Sequence, residues 1–384
     1  MKVPFLDLKI QYQSLKAEVW SAINSVLDST SYVLGKSVEN FEQSFADAHD
    51  AKYCIGLSSG TDGNHIVLWA LGIAPGDEVI IPVNTFIATA WGATLCGAKP
   101  VFVDCHHESY NLDPEKIEAA ITPRTKAIVA VHLYGQPADI DKISDKLRVN
   151  SYEVKDKGIY VHSKTGQKIY LVEDCAQSHL AEYKGRKVGG LTRASSFSFY
   201  PGKNLGAYGE AGAALTNDAE LAKKIKMLRD HGSEKKYEHE IYGHNYRMEG
   251  IQGAVLQVKL KYLQQWTQKR RQAAEKYGKL LHTVGDIILP KEMSYANHVY
   301  HLFVIQTTKR DELQKYLTKK NIETGLHYPI PLQRQKCFEH LGYRKGAFPI
   351  AEQLSERCLS LPMFAELSDE QIEYTTSCIK DYFR

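Results

Sequence analysis

Four short constellations bring together residue types that can do chemistry. In Ser58-Ser59-Gly60-Thr61-Asp62, small residues join an apolar run to a helix-like stretch. Backbone N–H groups there can approach an anion at a helix N-terminus; taken alone, the same residues read as a helix cap. In Val172–His179, Asp174 closes a buried strand. An acid at the carboxyl edge of a parallel sheet lies where ligands bind, and it can hold a ring nitrogen protonated. Equally, it can cap the next helix. In Phe197–Gly212, Lys203 lies in a turn hemmed by Pro201, several glycines and aromatic residues. Desolvation in such a turn frees an amine to attack a carbonyl, although most lysines near glycines are only loop surface. The fourth, Gly243-His244-Asn245-Tyr246-Arg247-Met248, suits a hinge or an interface.

Their order says more than any one of them. An anion-type loop comes first, then an acid at a strand end, then a lysine 29 residues later in a Gly-rich turn. A pyridoxal phosphate enzyme needs those three parts: a phosphate cradle, a partner for the pyridinium nitrogen and a Schiff-base lysine.

The elements that must position them follow from hydrophobic patterning. Strands are predicted at Tyr53–Leu57, Glu78–Pro82, Pro100–Asp104, Ala127–His132, Ile169–Glu173, Ser195–Phe199 and Ala213–Thr216. Several are unbroken apolar runs, as expected of strands covered on both faces. Helices are predicted between them at Gly63–Leu71, Phe86–Gly97, Pro114–Ile121 and Ile140–Leu147. That alternation argues for an α/β fold, a mostly parallel sheet with helices on both sides. Residues 149–167 interrupt the rhythm and read as a surface hairpin or loop. From Glu249 the spacing of Ile251, Ala254, Val255, Val258, Tyr262 and Trp266 predicts one long amphipathic helix. Its outer, solvated face would hold Lys259, Lys261, Lys269, Arg270 and Arg271. A strand at Tyr300–Gln306 and helices at Asp311–Lys319 and Asp369–Tyr382 complete the chain. A boundary near 245–250 gives a large domain, 1–248, and a small α+β domain, 249–384.

Composition removes other classes. The 384 residues are 43% hydrophobic and 24% charged, so a disordered or fibrous chain is excluded. With 48 basic against 45 acidic side chains and no basic cluster, there is no electrostatic case for nucleic acid. No apolar run approaches the roughly 18 residues of a membrane span. The polar N-terminal stretch does not read as a secretory signal. Cysteines 54, 96, 105, 175, 337, 358 and 378 lack CxxC or Cys/His ligand spacing. They read as reduced thiols of a cytoplasmic protein without a metal site. No Gly-x-Gly-x-x-Gly follows the early strands, which counts against a nicotinamide-dependent oxidoreductase.

From Pro4-Phe5-Leu6-Asp7-Leu8 to Leu361-Pro362-Met363 the chain resembles the DegT/DnrJ/EryC1/StrS sugar aminotransferases. The most specific stretches are EDCAQSH and FSFYPGKNLGAYGEAGA. The resemblance implies the pyridoxal phosphate-dependent transferase fold type I, with pyridoxal 5'-phosphate as cofactor. It implies that Lys203 binds the cofactor and moves the proton, that Asp174 pairs with the pyridinium nitrogen, and that Gln177 meets the phenolic oxygen. Gly60, Thr61 and Ser198 would hold the phosphate, and Phe86 would stack on the ring. Asn245 would reach the phosphate of a neighbouring subunit, so that a homodimer shares its active sites. Cys175, Leu180 and Glu210-Ala211 depart from the usual family residues without removing a cofactor contact.

The implied reaction moves an amino group from L-glutamate to a keto group of a nucleotide-linked sugar, for amino-sugar biosynthesis. Segments 131–139 and 327–331 resemble members acting on 3-keto sugars. The Asn245–Met248 motif also occurs in members that aminate 4-keto sugars or keto-cyclitols. Tyr32, His327 and Tyr328 are the candidates for the substrate pocket, with ordinary packing as the other reading of these aromatics. Two further readings compete: a sugar dehydratase of the same fold, in which histidine replaces the lysine, and a cofactor-binding sensor without turnover. Lys203, and its company with Asp174 and Gln177, argues against both.

Overall fold

Runs of Val, Ile and Ala become the inner strands of a nine-stranded sheet in the computed structural model, which describes residues 1–384. In chain order its strands are β1 (Tyr53–Leu57), β2 (Glu78–Pro82), β3 (Lys99–Val103), β4 (Thr125–Val131), β5 (Tyr152–Asp156), β6 (Ile159–His162) and β7 (Lys168–Asp174). After the short β8 (Glu182–Tyr183) and β9 (Arg186–Lys187), β10 (Ser195–Ser198) and β11 (Gly212–Thr216) complete it. The order is β1-β11-β10-β7-β4-β2-β3. Pairings from β10 through β7, β4 and β2 to β3 are parallel, while β11 runs antiparallel to both its neighbours.

Helices α1 (Leu8–Ser29), α2 (Lys36–Ala48), α3 (Gly60–Ala70), α4 (Ile87–Leu95), α5 (Ile140–Val149) and α6 (Ala219–Arg229) belong to the same region. Side-chain alternation splits the sheet residues between two cores. Val79, Ile81, Val129 and Val172 enter one; Ile80, Ile128 and Leu171 enter the other. That two-sided burial is why these strands read as continuous apolar runs.

A hairpin of β12 (Ser233–Lys235) and β13 (Glu238–His239) leads to α7 (Gly250–Leu260) and α8 (Leu263–Leu281). The chain continues through β14 (Ala296–Asn297), which pairs with β8, then β15 (Phe303–Gln306), α9 (Arg310–Lys319), α10 (Pro349–Arg357), β16 (Cys358–Leu361) and α11 (Asp369–Phe383). A third core gathers Tyr277, Phe303, Ile305, Leu317, Leu361 and Ile379 around the antiparallel pair β15–β16. None of the helices is long and apolar enough to cross a membrane. All seven cysteines are unpaired, and only Cys337 is exposed.

Five expectations need correction. Pro114–Ile121 forms two 3₁₀ turns, Pro114–Lys116 and Glu118–Ala120, closed by three-residue bonds from Ile117 N–H to the Pro114 carbonyl at 3.3 Å and from Ile121 N–H to that of Glu118 at 3.2 Å. The 149–167 stretch is a hairpin but not merely a surface one: β6 occupies the first part of one β7 edge and β10 the last part. The single long helix is two. Tyr262 N–H turns back to the Lys259 carbonyl at 3.0 Å, and both halves keep an apolar face, so periodicity alone misses the break. The basic outer face is also only partly solvated. Lys259 and Arg270 are buried. Lys259 Nζ donates to the Gly206 carbonyl and lies 5.2 Å from the Tyr208 ring centre. Arg270 Nη1 donates to the carbonyls of Tyr300, His301 and Met363. Buried cations persist when carbonyl acceptors and aromatic faces replace water in this way. Tyr300 has φ 43°, and Arg270 holds its carbonyl, so β15 begins only at Phe303.

Strand β7 ends with two acids of opposite orientation. Glu173 is fully buried and accepts from His132 Nε2 at 3.1 Å, Gly189 N–H at 2.8 Å, and both Leu191 and Thr192 N–H at 3.0 Å. These donors hold its carboxyl below the usual range despite burial.

Candidate active site

Asp174, the last residue of β7, opens onto a cavity of about 580 Å³ at the carboxyl edge of the parallel strands. Its Oδ2 accepts from Thr89 Oγ1 at 2.7 Å and Asn64 Nδ2 at 3.0 Å, and its Oδ1 from Ala176 N–H at 3.1 Å. Ser196 Oγ donates in turn to Asn64 Oδ1 at 2.5 Å. The carboxylate is therefore oriented from α3, α4 and β10 at once. Gln177, three residues on, accepts from Tyr134 N–H at 2.6 Å and donates to Tyr328 Oη at 3.0 Å.

Lys203 lines the same cavity from the turn after β10. Gly206, in that turn, has no room for a side chain: a Cβ would lie 2.2 Å from the Pro201 carbonyl oxygen. Burial lowers the Lys203 pKa to about 8, although the Asp174 charge opposes the shift. Near neutral pH a useful fraction of the amine is uncharged, as a nucleophile or proton carrier requires.

The anion loop lies at the start of α3. Ser59 Oγ caps the helix by accepting Asp62 N–H at 3.1 Å, and Asp62 Oδ2 accepts from Ser58 and Ser59 hydroxyls at 2.6 and 2.8 Å. Gly60 and Thr61 N–H, at the first helical positions, have no preceding turn to bond. Gly60 is pressed against β10, since a Cβ there would lie 2.5 Å from Ser198 Cβ. Ser198 also lines the cavity. The loop is thus both a cap and an anion cradle. Phe86, at the N-terminus of α4, lines the cavity while 53% exposed, its ring tilted against that of Tyr328 with centroids 5.8 Å apart.

The structure thus brings Gly60, Thr61, Phe86, Asp174, Gln177, Ser198, Lys203, His327 and Tyr328 to one cavity. His327 bonds Ser360 Oγ at 2.8 Å and stacks near Phe5 at 5.8 Å; burial lowers its pKa to about 4. Tyr32 is not among them; it is half exposed between α1 and α2. Asn245 is exposed too, bridged to Asp230 away from the cavity. Sequence reasoning missed Phe5, Leu6, Asn64, Thr89, Tyr200 and His301 as lining residues. Asn64, four residues after Gly60, faces the site by helical spacing, the one signal that would have found it.

Cradle, carboxylate, enclosed amine and half-exposed aromatic ring together fit a phosphorylated pyridine aldehyde. A mostly parallel sheet carrying that set at its carboxyl edge is the architecture of the pyridoxal phosphate type I fold. Comparison with known proteins gives the family. The model of the DegT/DnrJ/EryC1/StrS aminotransferase family matches residues 13–154 and 160–380. The "Pleiotropic regulatory protein" of Geobacillus stearothermophilus is 44% identical over 100% of this chain and 99% of its own. The dTDP-3-amino-3,6-dideoxy-alpha-D-galactopyranose transaminase of Aneurinibacillus thermoaerophilus is 43% identical over 99% of each. The crystal structure of S. venezuelae DesV in complex with a ketimine intermediate superposes with TM-score 0.93 at 39% identity, covering 100% of this chain and 99% of that one. The chain belongs to the DegT/DnrJ/EryC1/StrS aminotransferase family, and it is a transaminase.

Proposed function

We propose that this transaminase uses pyridoxal 5'-phosphate to move an amino group from L-glutamate to the keto group of a nucleotide-linked sugar, a 3-keto (deoxy)hexose, in amino-sugar biosynthesis. The observation that carries the reading is the meeting of Lys203, Asp174 and the Gly60–Ser198 cradle in one cavity. The 3-amino sugar in the name of the Aneurinibacillus relative supports the ring position.

Gly60, Thr61 and Ser198 would hold the phosphate, Phe86 would stack on the ring, and Gln177 would face its phenolic oxygen. When bound, the cofactor supplies the electron sink that stabilises negative charge on the reacting carbon. Asp174, fixed by Thr89 and Asn64, would keep the ring nitrogen protonated. Lys203 would carry the proton between substrate and cofactor carbons, and its pKa of about 8 suits it to give and take at working pH. His327 and Tyr328 would line the sugar side. The chain would work as a cytoplasmic homodimer, with Asn245 reaching a partner's phosphate; its exposure outside its own cavity supports that role.

The test is a panel of nucleotide 3-keto and 4-keto sugars incubated with glutamate. Amine formation on a 3-keto sugar is expected. Amination of only 4-keto sugars or a keto-cyclitol would move the ring position. Loss of water without amine would make the protein a dehydratase. A colourless protein unaffected by borohydride would overturn the cofactor as well.

A further inference from the structure

His301 has the clearest protonation of any group lining the cavity. Asn204 Nδ2 donates to the Val299 carbonyl at 3.1 Å, so the Asn204 amide can turn only its oxygen towards His301. That oxygen lies 3.1 Å from His301 Nδ1, which must therefore carry the proton. Burial, with the positive charges of Lys203 and Arg270 nearby, holds the ring well below the usual histidine range and so neutral. A neutral imidazole protonated at Nδ1 presents Nε2 as a hydrogen-bond acceptor.

The surroundings hold that acceptor still. Arg270 Nη1 donates to the carbonyls of Tyr300 and His301, each at 3.2 Å, and so pins the backbone. Asn204, which pins the ring, is the neighbour of Lys203 in the chain. No donor within the protein meets Nε2. A rigid, partly enclosed acceptor without a donor is costly to leave unmet, and it suits a donor that a ligand brings in.

We propose that His301 is a substrate-binding residue whose Nε2 accepts a hydrogen bond from a hydroxyl group next to the ketone of the sugar. This rests on the keto-sugar reading above. The two substrates share one cavity but differ beside the reacting carbon. Glutamate carries a carboxylate there, a second acceptor that a neutral Nε2 does not attract; a sugar carries O–H donors. His301 thus favours the acceptor half of the reaction and is indifferent to the donor half.

The test follows the two half-reactions separately by cofactor absorbance, in the holoenzyme and in His301→Phe, which keeps a ring and removes both nitrogens. For an accepted keto-sugar, kcat/KM is expected to fall about 10- to 100-fold, the cost of one buried hydrogen bond, while the glutamate half-reaction changes by less than about threefold. Deoxy analogues that lack the hydroxyl on one or the other side of the ketone supply the second leg. One of them should lose the same factor with the unaltered enzyme and no further factor with His301→Phe. Calorimetric binding of the aminated product should weaken in parallel. His301→Gln, which can offer an amide oxygen, keeps the comparison open should the Phe variant fail to fold; it is expected to recover part of the sugar half-reaction.

Equal loss in both half-reactions would place His301 on Lys203 or the cofactor and overturn the proposal. So would deoxy analogues that react as well as the parent sugar. If the glutamate half-reaction runs but no keto-sugar is aminated, the functional reading fails and takes this proposal with it.

Discussion

In the proposed reaction Lys203 and Asp174 carry most of the chemistry, and Lys203 makes two predictions. Lys203→Ala should remove the pyridoxyl label left by borohydride on the peptide that contains residue 203, and lower turnover by several orders of magnitude. Peptide mass and steady-state rates check this. The pKa of about 8 makes a second prediction for the chain without cofactor. Burial favours the uncharged amine, so capture of pyridoxal phosphate should accelerate as pH rises through about 8 and level off above it. Stopped-flow absorbance measures that profile; a midpoint near the ordinary lysine value of about 10.4 would show the amine to be solvated. Neither Asp174 nor Lys203 stood out in the sequence alone; their order did, an acid ending a buried strand followed 29 residues later by an amine among glycines. Thr89 and His301 gave no such signal, because each sits in an ordinary helical or strand pattern. Only the fold shows that Thr89 reaches a carboxylate on β7 at 2.7 Å.

Elements position these residues through close approaches that sequence patterning does not report. The start of α3 touches β10 so tightly that Gly60→Ala must push the two apart. Cofactor affinity should fall by about tenfold or more, measured by fluorescence titration, with helix content unchanged. Lys259 reaches from α7 to the Gly206 carbonyl, behind the turn that bears Lys203. Lys259→Met keeps the stem but leaves that carbonyl unmet, and should cost about 1–3 kcal/mol in urea unfolding. Seven of the nine strands of the sheet were read to within about two residues, since unbroken apolar runs admit few alternatives, while β5 and β6, within the polar 149–167 stretch, read only as a surface hairpin or loop. Helix α8 was misread as a continuation of α7 because a break that preserves the apolar face leaves periodicity intact. Lys259 and Arg270 were placed in solvent for a related reason: a charged side chain looks surface-bound until the aromatic and carbonyl groups that receive it are known.

At the scale of the whole molecule, the exposed Asn245 gives the proposed homodimer a sharp test. Chains carrying Lys203→Ala and chains carrying Asn245→Ala should each be poorly active alone. If Asn245 serves the neighbouring subunit, each mixed dimer regains one intact site, and an equal mixture recovers about a quarter of full activity. Activity no higher than the sum of the parents would show that Asn245 does not act across subunits. Sedimentation of the unaltered protein should give a dimer. Here the sequence was least informative on its own, because apolar patterning describes how a chain buries itself and not which of its faces meets a second copy.

The consecutive acids closing β7 have a bearing on quality control. Because neighbouring side chains in a strand face opposite ways, sliding β7 by one position would exchange them, turning Glu173 into the cavity and Asp174 towards the 189–192 loop. Aspartate is one methylene too short to gather the donors that glutamate collects there. A mis-registered chain would therefore forfeit both its buried anchor and the carboxylate proposed to meet the coenzyme, so a yellow colour, expected of the purified protein if it carries pyridoxal phosphate, would double as a report that its central strand has been threaded correctly.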